Sequence, residues 1–312
     1  MTARIILPVS LICFAVAPAF CEVAAESGGA SNAANPAAAM PLQSTVNALE
    51  KPAAAKPASE LLSAAGVDSK VEAGKGFAGT KRHTFVFEGY KAYFDEPEQE
   101  KPGRPWIWCM KWPGAFAKFT GQEDGVRRGY HYVYIDDLAW MTPKGVEVAK
   151  RFHDFLVGKL GFAAKANLVG MSWGGFYSTR YAAAHPEDVS RIYLDAPLMN
   201  FTGFNLEAQP GAAKLWGAPE GGDWTTDPRM PVNLADKIAA AKIPILLLYG
   251  GADTTVPPAL NCELFIPRFK AAGGVIAVFE RKLYGHHPHG FQDPEKVGAV
   301  VDFFEGKSVS VK

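Results

Sequence analysis

One serine lies in a setting that is typical of a catalytic nucleophile. Residues 170–174 read GMSWG, which fits the pattern G-x-S-x-G, between an apolar run, ANLVG, and a run of helical composition, GGFYSTRYAAA. A tight strand-to-helix turn there would push the hydroxyl out of the sheet and direct the free amides of the helix N-terminus at a developing oxyanion. The alternative is a serine that only caps the helix. The pattern predicts that Ser172 is a nucleophile.

A serine hydroxyl needs a base, and the base needs a carboxylate that orients it. Asp253 follows the apolar run IPILLLYG in a Gly-Gly-Ala-Asp turn, where it could also be a simple Asx-turn residue. Asp195, in YLDAP, is the competitor, followed by Asp136 and Asp137. The position of Asp253 in a turn after a strand predicts it as the acid, and the order Ser, Asp, His argues only against Asp136 and Asp137, which precede Ser172.

Histidines after the last predicted strand are the candidate bases. His286 precedes His287-Pro288, and His289 precedes Gly290-Phe291, so both fit the order. A third interpretation is a metal cluster of His286, His287 and His289, but no Cys or carboxylate ligand stands nearby in the sequence. We therefore predict no metal and no cofactor.

The elements that must position these residues alternate strands with helices. Helices are predicted from Thr142, over GGFYSTRYAAAHPEDV, at about 258–272 and over DPEKVGAVVDFF. Eight runs have strand character: HTFVFEG, YKAYF, PWIWCM, HYVYID, ANLVGMS, RIYLDAPL, IPILLLYG and GVIAVFE. This order predicts an α/β fold with a mostly parallel sheet, helices on both faces, and chemistry at the carboxyl ends of the strands.

Taken together, these motifs resemble the α/β-hydrolase superfamily, from the strand before Pro105 to the final helix. The segments GMSWG, YGGADTTVP and GHHPHGFQDPEKVGAVVDFF look like its nucleophile elbow, acid turn and histidine loop. More narrowly, WIWCMKWPG and GHHPHGF resemble exported bacterial esterase-like or prolyl-oligopeptidase-like hydrolases. The resemblance implies an α/β-hydrolase fold with about eight strands and a triad of Ser172, Asp253 and His286, with His289 as the rival base.

The same resemblance implies an oxyanion hole of two backbone amides. The first is that of Trp173, directly after the nucleophile. Where many relatives have His-Gly, this chain has Lys111-Trp112-Pro113, and proline has no N–H. The second donor is therefore predicted to be Trp112, or Lys111 if the loop is displaced by one residue.

The N-terminal part divides by composition. Residues 1–25 have one Arg and a short apolar run broken by two prolines, which predicts a signal peptide with cleavage near Val23-Ala24-Ala25 or Cys21-Glu22; an uncleaved anchor is the alternative. Residues 26–75, rich in Ala and Pro, are predicted to be a disordered linker. Residues 76–312 then form the catalytic domain, secreted or periplasmic, with no membrane insertion of the mature domain.

Charge and cysteine content limit the partners. Lys+Arg and Asp+Glu both number 32, so no global field favours nucleic acid, and the oligomeric state is left open. Cys109 and Cys262 could pair in an exported chain, although Cys109 falls inside an apparent buried strand.

The segment 200–233 stands where many lipases have a lid, but it is short and polar, which argues against a lipid interface. Lys111, Trp216 and Trp224 are predicted to contact substrate, although the tryptophans could simply pack this segment onto the domain. We predict a hydrolase of small or carbohydrate-linked, short-acyl carboxylic esters. A peptidase of prolyl-oligopeptidase type and a non-catalytic secreted binding protein are the alternatives.

Overall fold

The computed structural model describes residues 56–309. The predicted signal peptide at 1–25 and the part of the predicted linker up to residue 55 lie outside this range, and so do the last three residues. Within residues 56–309, no helix is both long enough and apolar enough to cross a lipid bilayer.

A single mixed sheet forms the centre of the described part of the chain. Its strands lie in the order β1-β2-β3-β5-β4-β6-β7-β8-β9. Strands β1, β2 and β3 are antiparallel to their neighbours, and β5, β4, β6, β7, β8 and β9 run parallel to one another. The nine strands are β1 Ser69–Glu72, β2 Lys81–Phe87, β3 Tyr90–Glu96, β4 Trp106–Cys109, β5 His131–Ile135, β6 Ala166–Met171, β7 Val189–Asp195, β8 Ile245–Gly250 and β9 Ile276–Arg281.

All eight predicted strands are present, and the fold class is confirmed. The ninth strand, β1, pairs with β2 inside the predicted linker, and the helix Ala58–Ala64 before it buries Leu62 completely. The boundary predicted at residue 76 is therefore too late. Ala- and Pro-rich composition hid the helix, and β1 is a short edge strand with half-exposed side chains that give no apolar alternation.

Helices cover both faces of the sheet. The longest, α3, begins with Pro143 directly after Thr142, as predicted, and ends before Gly161, whose left-handed φ of 69° suits a residue without a Cβ. The α-helices are α1 Ala58–Ala64, α2 Gln122–Arg127, α3 Pro143–Leu160, α4 Trp173–Ala184, α5 Pro210–Trp216, α6 Ala235–Ala240, α7 Cys262–Ala271 and α8 Ala299–Phe304.

The alternation of side chains along β4 divides the core into two clusters. Trp106 and Trp108 belong to the larger cluster, whereas Ile107 and Cys109 belong to the smaller one. Cys262 lies in the larger cluster, so Cys109 and Cys262 belong to different layers of the core. Both thiols are free and buried, which excludes the disulfide that the sequence left open. Burial raises the pKa of Cys109 to about 12.

Candidate active site

Ser172 stands at the turn between β6 and α4. Its φ of 51° and ψ of −118° lie outside the regions that residues with a side chain normally adopt, at a cost of about 1–3 kcal/mol. Three backbone hydrogen bonds hold the turn: its amide donates to Asp195 (2.9 Å), and its carbonyl accepts from Gly175 (2.9 Å) and Leu198 (3.0 Å). The serine is thus fixed at the carboxyl end of a central strand.

Glycines make this turn possible by leaving room for neighbouring atoms. A Cβ on Gly170 would lie 2.5 Å from the hydroxyl of Ser178, and one on Gly175 would collide with Pro197. A Cβ on Gly174 would lie 3.3 Å from the amide nitrogen of Lys111. Gly174 therefore lets the segment after β4 approach the N-terminus of α4.

The structure brings together the three residues predicted as a triad. His286 Nε2 lies 3.1 Å from Ser172 Oγ, and His286 Nδ1 lies 2.7 Å from Asp253 Oδ2. A carboxylate accepts hydrogen bonds, so Nδ1–H donates to Asp253 and Nε2 is left to accept the serine proton.

The acid turn fixes Asp253 for this contact. Its Oδ1 accepts hydrogen bonds from the amides of Thr255 and Val256, both at 2.9 Å, while Oδ2 accepts from His286. Burial by itself raises the pKa of Asp253, but the hydrogen bonds from His286 and the two amides outweigh it and lower this pKa below its ordinary value. Asp253 is therefore a carboxylate at neutral pH.

Backbone contacts hold the histidine loop against the acid turn. The amide of Ala252 donates to the carbonyl of Tyr284 (3.0 Å). A Cβ on Gly250, the last residue of β8, would overlap the carbonyls of Tyr284 and Gly285. A glycine at this position lets His286 reach Asp253.

The rival residues from the sequence form a pair of their own. His289 Nδ1 lies 2.9 Å from Asp195 Oδ1, and Asp195 Oδ2 accepts from Tyr193 Oη and from the amide of Gly290, both at 2.5 Å. Asp195 is fully buried and His289 is 3% exposed. This second pair connects the histidine loop to the end of β7, and within residues 56–309 neither side chain of the pair has a hydrogen bond to Ser172.

The remaining acid candidates lie elsewhere. Asp136 accepts a hydrogen bond from Tyr134 Oη (3.0 Å), and Asp137 lies 3.8 Å from the ammonium of Lys111. Neither contacts a histidine among the described residues, so neither orients the base.

Trp112 and Trp173 both line the cavity in front of Ser172. Trp173 is the first residue of α4, where amides have no partner within the helix, and Trp112 has a φ of 62°. Among the described residues, neither amide has a hydrogen-bond acceptor. Both are therefore free to donate to a bound oxyanion.

A largely apolar cavity of about 390 Å³ opens in front of Ser172. The sequence did not single out Phe116, Phe204 and Gln209 in its walls, because they lie in loops that only the tertiary fold brings together. The cavity is lined by Trp112, Ala115, Phe116, Met171, Ser172, Trp173, Phe204, Gln209, Thr255, His286, His287 and His289.

The predicted substrate-binding residues Lys111, Trp216 and Trp224 are not part of these walls. Trp216 is buried, packs against Phe176 and Phe201, and donates from Nε1 to the carbonyl of Trp140 (3.0 Å). Trp224 packs edge-on against Phe201 (4.9 Å). The tryptophans anchor the segment 200–233 to the domain, as the packing alternative from the sequence has it, and their contact with substrate stays a prediction.

Lys111 does not line the cavity, although its ammonium lies 5.7 Å from the ring centre of Trp112, which does. Its ammonium lies 4.8 Å from the ring centre of Trp140 and 5.8 Å from that of Tyr177. Its side chain is buried against these rings beside Asp137, and its contact with substrate stays a prediction.

Comparison with known proteins agrees with this architecture. A model of the alpha/beta hydrolase fold matches residues 141–221, which include the turn at Ser172. The described part of the chain has the α/β-hydrolase fold. The matched segment ends before Asp253 and His286, so only the hydrogen bonds described above place these two residues in the site.

Solved structures with this fold include enzymes of two kinds. A Paenibacillus sp. R4 acetyl xylan esterase matches at TM-score 0.55 and 14% identity, over 80% of this chain and 92% of that one. A Pyrococcus horikoshii acylaminoacyl peptidase matches at TM-score 0.53 and 14% identity, over 79% of this chain and 43% of that one.

A Bacteroides ovatus protein assigned as a dipeptidyl aminopeptidase IV matches at TM-score 0.57 and 15% identity, over 78% of this chain and 36% of that one. The α/β-hydrolase chain thus spans less than half the length of these two peptidase-type structures. A comparison with curated protein sequences found no match.

Proposed function

We propose that this α/β-hydrolase is a serine hydrolase that cleaves short-acyl carboxylic esters of small or carbohydrate-linked alcohols through an acyl-enzyme. One observation carries the proposal: Ser172 Oγ, His286 and Asp253 form a continuous chain of hydrogen bonds of 3.1 and 2.7 Å at the wall of an apolar cavity. A neutral imidazole with a carboxylate behind it is the arrangement that activates a serine hydroxyl.

In the first half of the reaction, Ser172 Oγ attacks the ester carbonyl carbon and its proton moves to His286 Nε2. Collapse of the tetrahedral intermediate breaks the carbon–oxygen bond, and His286 returns the proton to the departing alcohol. In the second half, water attacks the acyl-serine with His286 again as the base, which releases the carboxylic acid and restores Ser172. Asp253 stays ionised and stabilises the imidazolium in both halves.

Negative charge develops on the carbonyl oxygen in each half. The amides of Trp173 and Trp112, which have no acceptor among the described residues, are the proposed donors to that oxygen. The positive end of the α4 dipole points to the same place. Preorganised donors of this kind contribute on the order of 3 kcal/mol each to transition-state stabilisation.

The comparisons favour an ester over a peptide bond. The match to the acetyl xylan esterase extends over 92% of that chain, whereas the match to the acylaminoacyl peptidase extends over 43% of that one. The peptidase alternative keeps its support from the resemblance in fold. A panel of p-nitrophenyl acetate beside dipeptidyl and acylaminoacyl p-nitroanilides distinguishes the two: ester hydrolysis alone supports the proposal, and faster cleavage of any anilide would replace it.

Cavity size supports short acyl groups. At about 390 Å³ the cavity lies near the lower end of ligand pockets, which span roughly 300–1,000 Å³. The only α-helix in the described segment 200–233 is α5, of seven residues, with Trp216 buried against the domain. This segment has no long amphipathic helix that could open onto lipid.

Rates on p-nitrophenyl acetate, butyrate, octanoate and palmitate test this part of the proposal. We expect acetate to be hydrolysed fastest, with no jump in rate above the solubility limit of the longer esters. A maximum at octanoate or palmitate, or such a jump, would identify a lipase instead.

The proposal includes export of the mature domain to the periplasm or the medium, on the composition of residues 1–25. Expression of the full chain in a bacterial host, followed by fractionation and N-terminal sequencing, tests it. A processed N-terminus near residue 25 in the periplasmic or medium fraction supports export, and an unprocessed chain in the cytoplasm contradicts it.

A further inference from the structure

Three imidazole rings meet at the wall of the cavity. The ring centres of His286, His287 and His289 form a nearly equilateral triangle with sides of 4.9, 5.0 and 4.9 Å. The planes of the rings cross at 70°, 80° and 89°, so the rings do not stack. The proposed hydrolysis needs only one of the three.

Two of the rings have a carboxylate behind them. His286 Nδ1 lies 2.7 Å from Asp253, and His289 Nδ1 lies 2.9 Å from Asp195, which leaves the Nε2 atom of each ring as the nitrogen with the lone pair, that of His286 being 3.1 Å from Ser172 Oγ. A carboxylate that accepts from the far nitrogen of a histidine fixes its tautomer and raises its basicity toward a metal ion. The sequence did not predict the hydrogen bond between His289 and Asp195, because the two residues are 94 positions apart.

The third ring is exposed to solvent. His287 is exposed, and its ring stacks on Phe116 at 5.7 Å. One ligand nitrogen from each histidine lies within 4.8 Å of the other two. Nitrogens bound to Zn²⁺ at about 2.0–2.1 Å in tetrahedral geometry lie about 3.4 Å apart, so binding requires the three nitrogens to approach one another by at most about 1.4 Å.

We propose that His286, His287 and His289 bind a zinc ion, and that this ion switches the hydrolase off. Three imidazoles with an open fourth position are a ligand set that Zn²⁺ accepts. The ion occupies Nε2 of His286, which then cannot accept the proton of Ser172. Metal binding does not depend on the proposed function, whereas inhibition rests on it.

Two other clusters on this domain are weaker competitors. His153, Asp154 and Asp188 lie together, and so do His185, Glu187 and Asp188. Asp188 already accepts from Tyr181 Oη at 2.8 Å and lies 3.3 Å from the ammonium of Lys150. Each of these clusters has one imidazole in place of three, and a shared carboxylate that is already paired.

Metal binding is measured first, on the purified metal-free protein and without any substrate. Competition with a chromogenic chelator gives the Zn²⁺ affinity and stoichiometry, and the visible absorption of the Co²⁺ form reports the ligand set. We expect one tight site. His287→Ala removes an exposed ligand, so it should lower affinity by more than the roughly 10- to 100-fold that loss of a second-shell partner costs.

The matched control is His185→Ala, which removes the only imidazole of another cluster and should leave Zn²⁺ affinity unchanged. No tight site in the wild-type protein, or a site lost with His185→Ala but kept with His287→Ala, would overturn the proposal.

Inhibition is measured separately, with p-nitrophenyl acetate in chelator-buffered zinc. We expect activity to fall as the site fills and to return on addition of EDTA. Half-inhibition of His287→Ala should need at least tenfold more zinc than half-inhibition of the wild-type protein. Each variant is compared with its own zinc-free rate. Full activity with the three-histidine site occupied would refute the switch. Zinc binding in a protein that hydrolyses no ester would refute the proposed function and leave the metal site in place.

Discussion

Two histidine–aspartate pairs stand side by side in this molecule and differ in what lies beyond the imidazole. His286 with Asp253, and His289 with Asp195, both have an Nδ1-to-carboxylate distance below 3 Å. Both carboxylates also accept two further hydrogen bonds. Only His286 has a serine hydroxyl at its other nitrogen, 3.1 Å away.

The comparison teaches that a histidine–aspartate pair is not by itself a catalytic device. The bond between His289 and Asp195 joins the histidine loop to β7, whose last carbonyl accepts from the amide of Ser172. It therefore supports the position of the other pair. Experiments that measure turnover and stability independently can distinguish the catalytic role of the His286 pair from the supporting role of the His289 pair.

The largest expected effect distinguishes the two histidines. His286→Ala removes the base and should lower kcat by about 10⁴- to 10⁶-fold with little change in melting temperature. His289→Ala leaves the buried Asp195 with one donor fewer, so it should destabilise the fold by about 1–3 kcal/mol while costing far less turnover. Steady-state kinetics and thermal unfolding of both variants check this, and the reverse ranking in kcat would transfer the base to His289.

The variants of the two aspartates should differ in kcat and in stability in the same way as the variants of the two histidines. Asp253→Asn removes the charge that orients His286 and stabilises its imidazolium, so kcat should fall by up to about 10⁴-fold. Asp195→Asn turns one acceptor oxygen into a donor that faces His289, Tyr193 or Gly290, and its main effect should be a lower melting temperature. If Asp195→Asn proves the more damaging to kcat, the catalytic acid lies one strand earlier than proposed.

A smaller effect concerns pH. Only the neutral form of His286 accepts the serine proton, so kcat/KM should rise with pH through one ionisation, measured from about pH 5 to about pH 9. The pKa of Asp253 is lowered, so this carboxyl stays charged over this pH range and causes no second change in the pH profile of kcat/KM. Its contribution to stability is present above its unfolded pKa and is lost only as the pH falls through its lower folded pKa.

Much of this arrangement could be predicted from local sequence, and the exceptions have physical causes. Continuous apolar runs predicted the largely buried parallel strands β4 to β8, since such a strand needs hydrophobic residues on both faces of the sheet. Strand β1 was missed because an edge strand is held by backbone hydrogen bonds and carries little apolar signal. Short helices such as α5, Pro210–Trp216, were missed because tertiary packing decides them.

Some features of the site could likewise be predicted from local sequence, and others could not. Ser172, Asp253 and His286 stand in local turns with recognisable composition, and the structure brings these three side chains into contact. The pairing of His289 with Asp195 and the cavity wall at Phe116 and Phe204 depend on contacts between distant loops. No pattern along one stretch of sequence encodes such contacts.

Labelling with a fluorophosphonate, followed by mass spectrometry of the modified peptide, tests the central claim most directly. The account predicts one phosphonyl group on Ser172 in the wild-type protein. It also predicts none in Ser172→Ala, whose fold and melting temperature should be nearly unchanged. Fluorophosphonates attack activated serines, so the reaction requires the base as well, and His286→Ala should label far more slowly than His289→Ala. An unlabelled wild-type protein, or full ester hydrolysis by Ser172→Ala, would contradict the account.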